Sequence, residues 1–219
     1  MSRGKALAVL SPSAAEQWGM VTATQARELG VSRLDLSRLV QDGTLERIKP
    51  GARVYRLTGS PPDPDLDPLR AAWLQLGAGT PSAQRLRAPD AVVSHRSAAA
   101  VLGLGDLLSD MHEFYTQTRH RLRRDDVRIR VQTQLPRQDW TVVRGLPVTT
   151  ARKIITDLLH DREDESAIAR IVQDALRTQL LTPAELEDSV RGHTAAYGSP
   201  SDPAMAVALA GTTRGSDIR

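Results

Sequence analysis

The chain has 219 residues, with 29 Lys and Arg against 26 Asp and Glu and a formal charge of +3. That length suits one large domain or a small domain joined to a larger one, and a hydrophobic content of 40% is enough for a real core. With no cysteine there are no disulfides, thiolate zinc sites or cysteine nucleophiles. The expected compartment is a reducing cytoplasm. The apolar run ALAVL after the basic start is too short for a signal-peptide core, and no run reaches the roughly 18–20 residues needed to cross a bilayer, so no membrane role is expected.

The charge is unevenly spread. Between Met1 and Gly59 nine cations face five acids, which leaves the rest of the chain near −1. A basic segment on a balanced protein is the footprint of a phosphate binder; an arginine-rich composition throughout would look similar. Aromatics are only 3%, and single strands and RNA are usually gripped by stacked rings. Duplex DNA is the better match.

In chain order, Ser11–Trp18 reads as a short opening helix. Next, Thr22 or Thr24 can cap a helix over Gln25–Leu29 that Gly30 ends. Val31 fills the turn, Ser32 caps a second helix, and Leu36, Leu39 and Val40 form its packing stripe before Gly43 closes it. Two short helices joined by a tight glycine turn are the helix-turn-helix signature. The period then becomes that of strands: LERI, a Pro50-Gly51 turn and VYRL predict a hairpin, the wing. The proline- and aspartate-rich stretch Thr58–Pro68 reads as a linker.

The remainder predicts a mixed α/β domain. PLRAAWLQL is a helix, AQRLRAP a polar loop or helix end, and Ala91–Ser94 a strand feeding a small-residue helix. EFYTQT, VRIRVQT and WTVVRGLPVT read as three strands, and TARKIITDLL, SAIARIVQDALRTQL and TPAELEDSVR as three helices. From Gly192 onward a frayed tail is expected, with a possible short helix in DPAMAVALA. The fold class is therefore α+β: a winged helix-turn-helix over 1–59, a linker over 60–68, an α/β domain over 69–191 and a poorly ordered tail over 192–219.

In a winged helix the second helix shows its N-terminal, non-core face to the major groove. Here that face offers Ser32, Arg33, Ser37 and Arg38, whose arginines can fork onto guanine O6 and N7 or clamp phosphates. Ser32 and Thr24 sit where helix starts meet phosphate oxygens, and Gln25 beside Thr24 is a further DNA-binding candidate. Arg47, Lys49, Arg53 and Arg56 decorate the wing. Asp35 can repel phosphate, accept from cytosine N4 or support the helix start. The same charges would equally suit a winged helix used only for protein contacts. The run Arg119–Arg130 is a further phosphate contact or a solvated hairpin loop.

No catalytic constellation emerges. The histidines lack metal-ligand spacing. His95, between a strand and a helix, fits a capping or core-edge role better than chemistry. GSPSDP lacks paired aspartates for magnesium, and Asp161–Glu165 reads as a solvated loop. No cofactor or metal is expected, and no catalysis.

The stretch VTATQARELGVSRLDLSRLVQDGTLERIKPGARVYRL resembles the N-terminal winged helix of the AbiEi-type antitoxins of bacterial abortive-infection and toxin–antitoxin systems. SHRSAAAVLGL and GLPVTTARKIITDLL follow in the order seen in such proteins, so the resemblance spans roughly Val21–Leu159. It implies binding to inverted repeats in the operon's own promoter, autorepression, and action against a nucleotidyltransferase-like toxin, with the antitoxic role in the C-terminal domain. Direct binding to the toxin without specific DNA binding is the alternative. IKPGARVYRL departs from the family's usual Pro-Gly-Val-Tyr by two additional residues. A similar N-terminal half also occurs before nuclease domains, but those need an acid-acid-Lys core. Here the last lysine is Lys153 and the last helix ends near Arg191, so a nuclease is not expected.

Overall fold

The computed structural model describes residues 1–49, 53–120 and 124–191, and the chain divides into two compact units, the first covering Met1–Ala91 and the second the bulk of the chain from Val92 onward. The expected wing turn at Pro50-Gly51 and the tail after Arg191, including DPAMAVALA, lie outside the described residues.

The first unit opens with α1, Arg3–Ala15, which buries Ala6, Leu10 and Ala14 at i, i+4 and i+8. The helix thus begins eight residues earlier than Ser11. Pro12 sits inside it rather than marking its approach, because burial of the apolar face outweighs one lost backbone bond. A short strand β1, Met20–Thr22, precedes α2, Ala23–Glu28, and was not foreseen. Helix α3 spans Arg33–Gln41. Between α2 and α3, Gly30 takes φ +79°; its N–H donates to the Arg27 carbonyl at 2.9 Å, and Val31 N–H to Ala26 at 2.8 Å. These two bonds form a Schellman stop. Gly43, at φ +74°, ends α3 the same way through Val40 and Leu39.

Strands β2, Leu45–Arg47, and β3, Val54–Leu57, pair antiparallel with Arg47 opposite Tyr55. β1 joins the other edge of β3, giving the order β1-β3-β2. Ala6, Leu10, Val21, Ala26, Val31, Leu36, Leu39, Leu45 and Tyr55 form the core of this assembly. Val40, expected in the same stripe, is partly buried against it.

The Thr58–Pro68 stretch does not separate the units. Asp67 is already the first residue of α4, Asp67–Leu76, where Pro68 is tolerated in the opening turn. The Asp67 carboxylate accepts from Arg56 Nη1 at 2.8 Å, and Asp63 accepts from Arg70 at 2.9 Å. With α4 burying Leu69, Ala71, Ala72, Trp73, Leu74 and Leu76, and α5, Ser82–Arg87, behind it, the first unit continues to Ala91. Proline and aspartate composition marks a bend here, and these ion pairs make the bend part of the core.

The second unit is built on a five-stranded sheet of order β6-β5-β4-β8-β7. Its strands are β4, Ala91–Val93; β5, His112–Thr116; β6, Val127–Val131; β7, Trp140–Val143; and β8, Leu146–Thr149. β4 and β8 are parallel and β7 and β8 antiparallel. WTVVRGLPVT is therefore not one strand but a hairpin. Arg144 and Gly145, at φ +51° and +80°, supply the two left-handed residues of its tight turn. β5 and β6 are parallel, with Phe114 opposite Ile129, so the basic run between them is not a hairpin loop; residues 121–123 of it lie outside the described residues. Helices α6, His95–Leu102; α7, Ala151–His160; α8, Glu165–Arg177; and α9, Pro183–Arg191 complete the unit. The mixed α+β class stands. No helix among the described residues is long and apolar enough to cross a membrane.

Candidate nucleic-acid interface

The geometry of α3 follows from its first turn. Ser32 Oγ accepts from Asp35 N–H at 3.1 Å and donates to Asp35 Oδ2 at 2.6 Å, while Asp35 also accepts from Ser32 N–H at 3.3 Å. This capping box uses Ser32 as an internal cap rather than as a hand held out to phosphate. The Ser32 hydroxyl pulls the Asp35 carboxyl down to about 2, so near neutral pH a negative charge sits at the start of the helix. Asp35 thus has the supporting role, one of the three its sequence position allowed.

With Leu36 and Leu39 buried, the outward residues of α3 are Arg33, Leu34, Arg38 and Gln41, with Ser37 half-buried among them. Arg38 is 63% exposed, its guanidinium 4.0 Å from Asp35. Leu34 and Gln41 were not singled out from sequence. Yet Leu34 stands about 200° round the helix from Leu36 at 3.6 residues per turn, and a leucine off the packing stripe is a readable signal.

Of the other expected contacts, Arg47, Lys49 and Arg53 are exposed in the β2–β3 region. Arg47 lies over the Tyr55 ring at 5.5 Å. Two expectations are corrected. Gln25 is buried: its Oε1 accepts from Thr22 N–H at 3.0 Å and from Gln17 Nε2 at 2.7 Å, closing the cap of α2. Arg56 is buried between Glu46 and Asp67 and is committed to those ion pairs. The alternation of β3 points Tyr55 to one face and Arg56 to the other, so an arginine expected on the wing surface is buried instead. Thr24 is half-buried in the first turn of α2, whose cap is Thr22, not Thr24.

Residues 9–58, which hold nearly all of these side chains, match the family model described as "Transcriptional regulator, AbiEi antitoxin". Over those residues, under a quarter of its length, the chain is similar to that family. The matched segment covers α1 from Val9, β1, α2, α3 and both strands β2 and β3. No curated protein matches the chain. Among solved structures, the RV2827C protein from Mycobacterium tuberculosis is similar over 94% of this chain and 81% of its own, at 17% identity and a TM-score of 0.49.

The second unit holds a different arrangement around His95. The histidine opens α6 at φ +52°, is 2% exposed, and pairs its Nδ1 with Ser94 Oγ at 2.9 Å. Burial, with Arg130 next to it, drives the imidazole down to about 3. It is therefore neutral and a weak base near neutral pH. Tyr115 donates to Asp157 at 2.8 Å, and Lys153 reaches the Tyr115 oxygen at 3.2 Å. Burial and the Asp157 charge raise the phenol well above its usual range, so it stays protonated. Beside them lies a pocket of about 260 Å³ where Arg96 pairs with Glu163 at 2.8 Å and Arg130 with Asp161 at 3.0 Å. Glu113 accepts from Arg96 N–H at 3.0 Å and so caps α6 from a neighbouring strand. Each charge here has an opposite partner, and the arrangement braces the sheet against α6 and α7. Among the described residues no cluster of His, Asp and Glu is arranged to hold a metal ion.

Proposed function

We propose that this chain is a DNA-binding antitoxin that represses its own operon, with the first unit as a winged helix-turn-helix. The observation that carries this reading is the outward face of α3. Its arginines Arg33 and Arg38 stay exposed while every leucine of its packing stripe is buried. Arg47, Lys49 and Arg53 extend the same positive character along the wing. Matching of residues 9–58 to a transcriptional-regulator antitoxin family supports it. In this reading the arginines displace counterions from phosphate, which makes affinity steeply salt-dependent. The α3 side chains then discriminate bases, at about 1–3 kcal/mol for each good bidentate contact. The second unit carries the antitoxic role against a nucleotidyltransferase-like toxin, and the operator is an inverted repeat.

The test is a salt-series binding assay of the full chain on the DNA upstream of its own gene, against scrambled DNA. The expected result is tight, competitor-resistant binding to the upstream DNA alone, with a log–log salt slope that becomes shallower by about one unit when Arg33 is changed to Ala. Equal, weak binding to both DNAs would overturn the reading. Copurification of a co-expressed toxin at moderate salt would then favour direct protein binding.

A further inference from the structure

We infer that Leu34 reads the 5-methyl group of a thymine in the major groove, within two base steps of the base that Arg38 contacts. This assignment rests on the DNA-binding reading above and names a determinant of its specificity. Leu34 is 60% exposed in the first turn of α3, the part of a recognition helix that enters deepest. An exposed leucine costs solubility and contributes nothing to this core, whose stripe lies on the opposite side. Its neighbours one turn on are Ser37 and Arg38, and Arg33 precedes it, so the only apolar group on this face is set within cations and a hydroxyl.

That setting decides the occupant. A protein partner or a second copy would need a contiguous apolar patch with roughly 800 Å² covered on each side, and α3 offers a single leucine among charged and polar groups. The wall of the major groove offers one apolar group, the thymine methyl, beside hydrogen-bond acceptors and phosphates that suit arginine. The start of α3 is closed to phosphate, because Ser32 and Asp35 cap each other there and Asp35 is ionised. Readout is left to Arg33, Leu34, Ser37, Arg38 and Gln41. Positions 34 and 38 are about 6 Å apart along the axis at 1.5 Å per residue, and base steps are about 3.4 Å apart. The thymine therefore lies within two base steps of the Arg38 contact.

The experiment replaces each thymine of the upstream site singly by deoxyuridine, which removes only the methyl group, and measures binding of the full-length protein. At one thymine per half-site the wild type should lose about fourfold in affinity, the value of one buried methyl. Leu34→Ala should bind thymine and deoxyuridine equally there, while Arg38→Ala keeps the methyl preference. Leu34→Ala melts at the wild-type temperature if its role is confined to the surface. A flat deoxyuridine scan, or a Leu34→Ala protein that keeps the preference, overturns the assignment while leaving DNA binding intact. A flat scan with a lower sedimentation mass for Leu34→Ala would instead make Leu34 a contact between copies. Failure of the wild type to prefer upstream over scrambled DNA would remove the DNA-binding reading and this assignment together.

Discussion

Arg38 and Arg56 stand eighteen positions apart in the same basic segment, and composition treats them alike. The structure does not: Arg38 is 63% exposed beside Asp35, whereas the Arg56 side chain is 11% exposed and bonded to Glu46 and Asp67. Their alanine variants should part accordingly. Arg38→Ala is expected to weaken operator binding by about tenfold or more, the scale of one bidentate base contact, with an unchanged thermal midpoint. Arg56→Ala should cost about 2 kcal/mol of stability by taking one charged hydrogen-bond donor from the buried Asp67, which keeps Arg70 at 3.3 Å, read as a lower denaturant midpoint. An Arg56→Ala protein that melts like wild type but fails to bind would return Arg56 to the interface. The pattern of strand alternation was legible in VYRL, but which face of β3 would be covered was not, because α4, which supplies Asp67, lies beyond the stretch that looked like a linker. Gln25 is different: its spacing from Thr22 is that of a capping box, which is local and legible, and only its burial against Gln17, just beyond α1, depends on a more distant residue.

Among the elements, the helix stops and starts were the most legible. Ser32 as a cap, Gly30 as the stop of α2 and Gly43 as the stop of α3 all take those places, since capping chemistry is local and depends on a few neighbouring residues. Gly30 provides a clean test. Nothing lies within 4 Å of where its Cβ would be, so Gly30→Ala meets only the left-handed backbone cost at φ +79°. The loss should be about 1 kcal/mol in chemical denaturation, with DNA affinity preserved at temperatures well below the melt. A larger loss would show that the turn is also packed. β1 escaped notice because the three residues Met20–Thr22, the last of them the cap of α2, form a strand only through β3. The β7–β8 hairpin was hidden inside an apparently continuous strand, although Arg-Gly is a plausible two-residue turn. The parallel pairing of β5 with β6 cannot be read from periodicity at all, since both strand directions give the same alternation.

At the scale of the whole molecule, the boundary at Ala91 rather than near residue 60 has a direct consequence. A fragment of residues 1–91 should give a cooperative thermal melt, whereas residues 1–59 alone should not, because Arg56 and the β1–β3 face then lose α4. A cooperative 1–59 fragment would restore the shorter domain. The second unit has its own pH signature. His95 is driven to about 3 when folded, against about 6.5 when unfolded. Its contribution is fully present above pH 6.5 and is lost as pH falls toward 3, because the unfolded chain takes up the proton first. Arg130, Asp161, Lys153 and Arg128 surround it, and Asp157, raised by burial, works in the opposite sense as pH falls. The difference between wild type and His95→Gln isolates the histidine. That difference should shrink steadily from pH 6.5 to 4 in denaturant melts, and a constant difference would show that the imidazole does not titrate between the folded and unfolded states.

The amino-acid sequence by itself determined what local chemistry can determine. The order of helix, glycine turn, helix and hairpin in the first sixty residues was set by caps and hydrophobic period, as was the exposure of Arg33 and Arg38 opposite the Leu36–Leu39 stripe. Tertiary structure alone decided where the first unit ends, which arginine of the β2–β3 pair is buried, and that Gln25 is packed against Gln17. It also set the parallel course of β6 beside β5 and the neutral state of His95. Each of those depends on a partner distant along the chain, and the free energy of burying a charge or a strand edge is a property of the assembled surroundings, not of the residues that carry it.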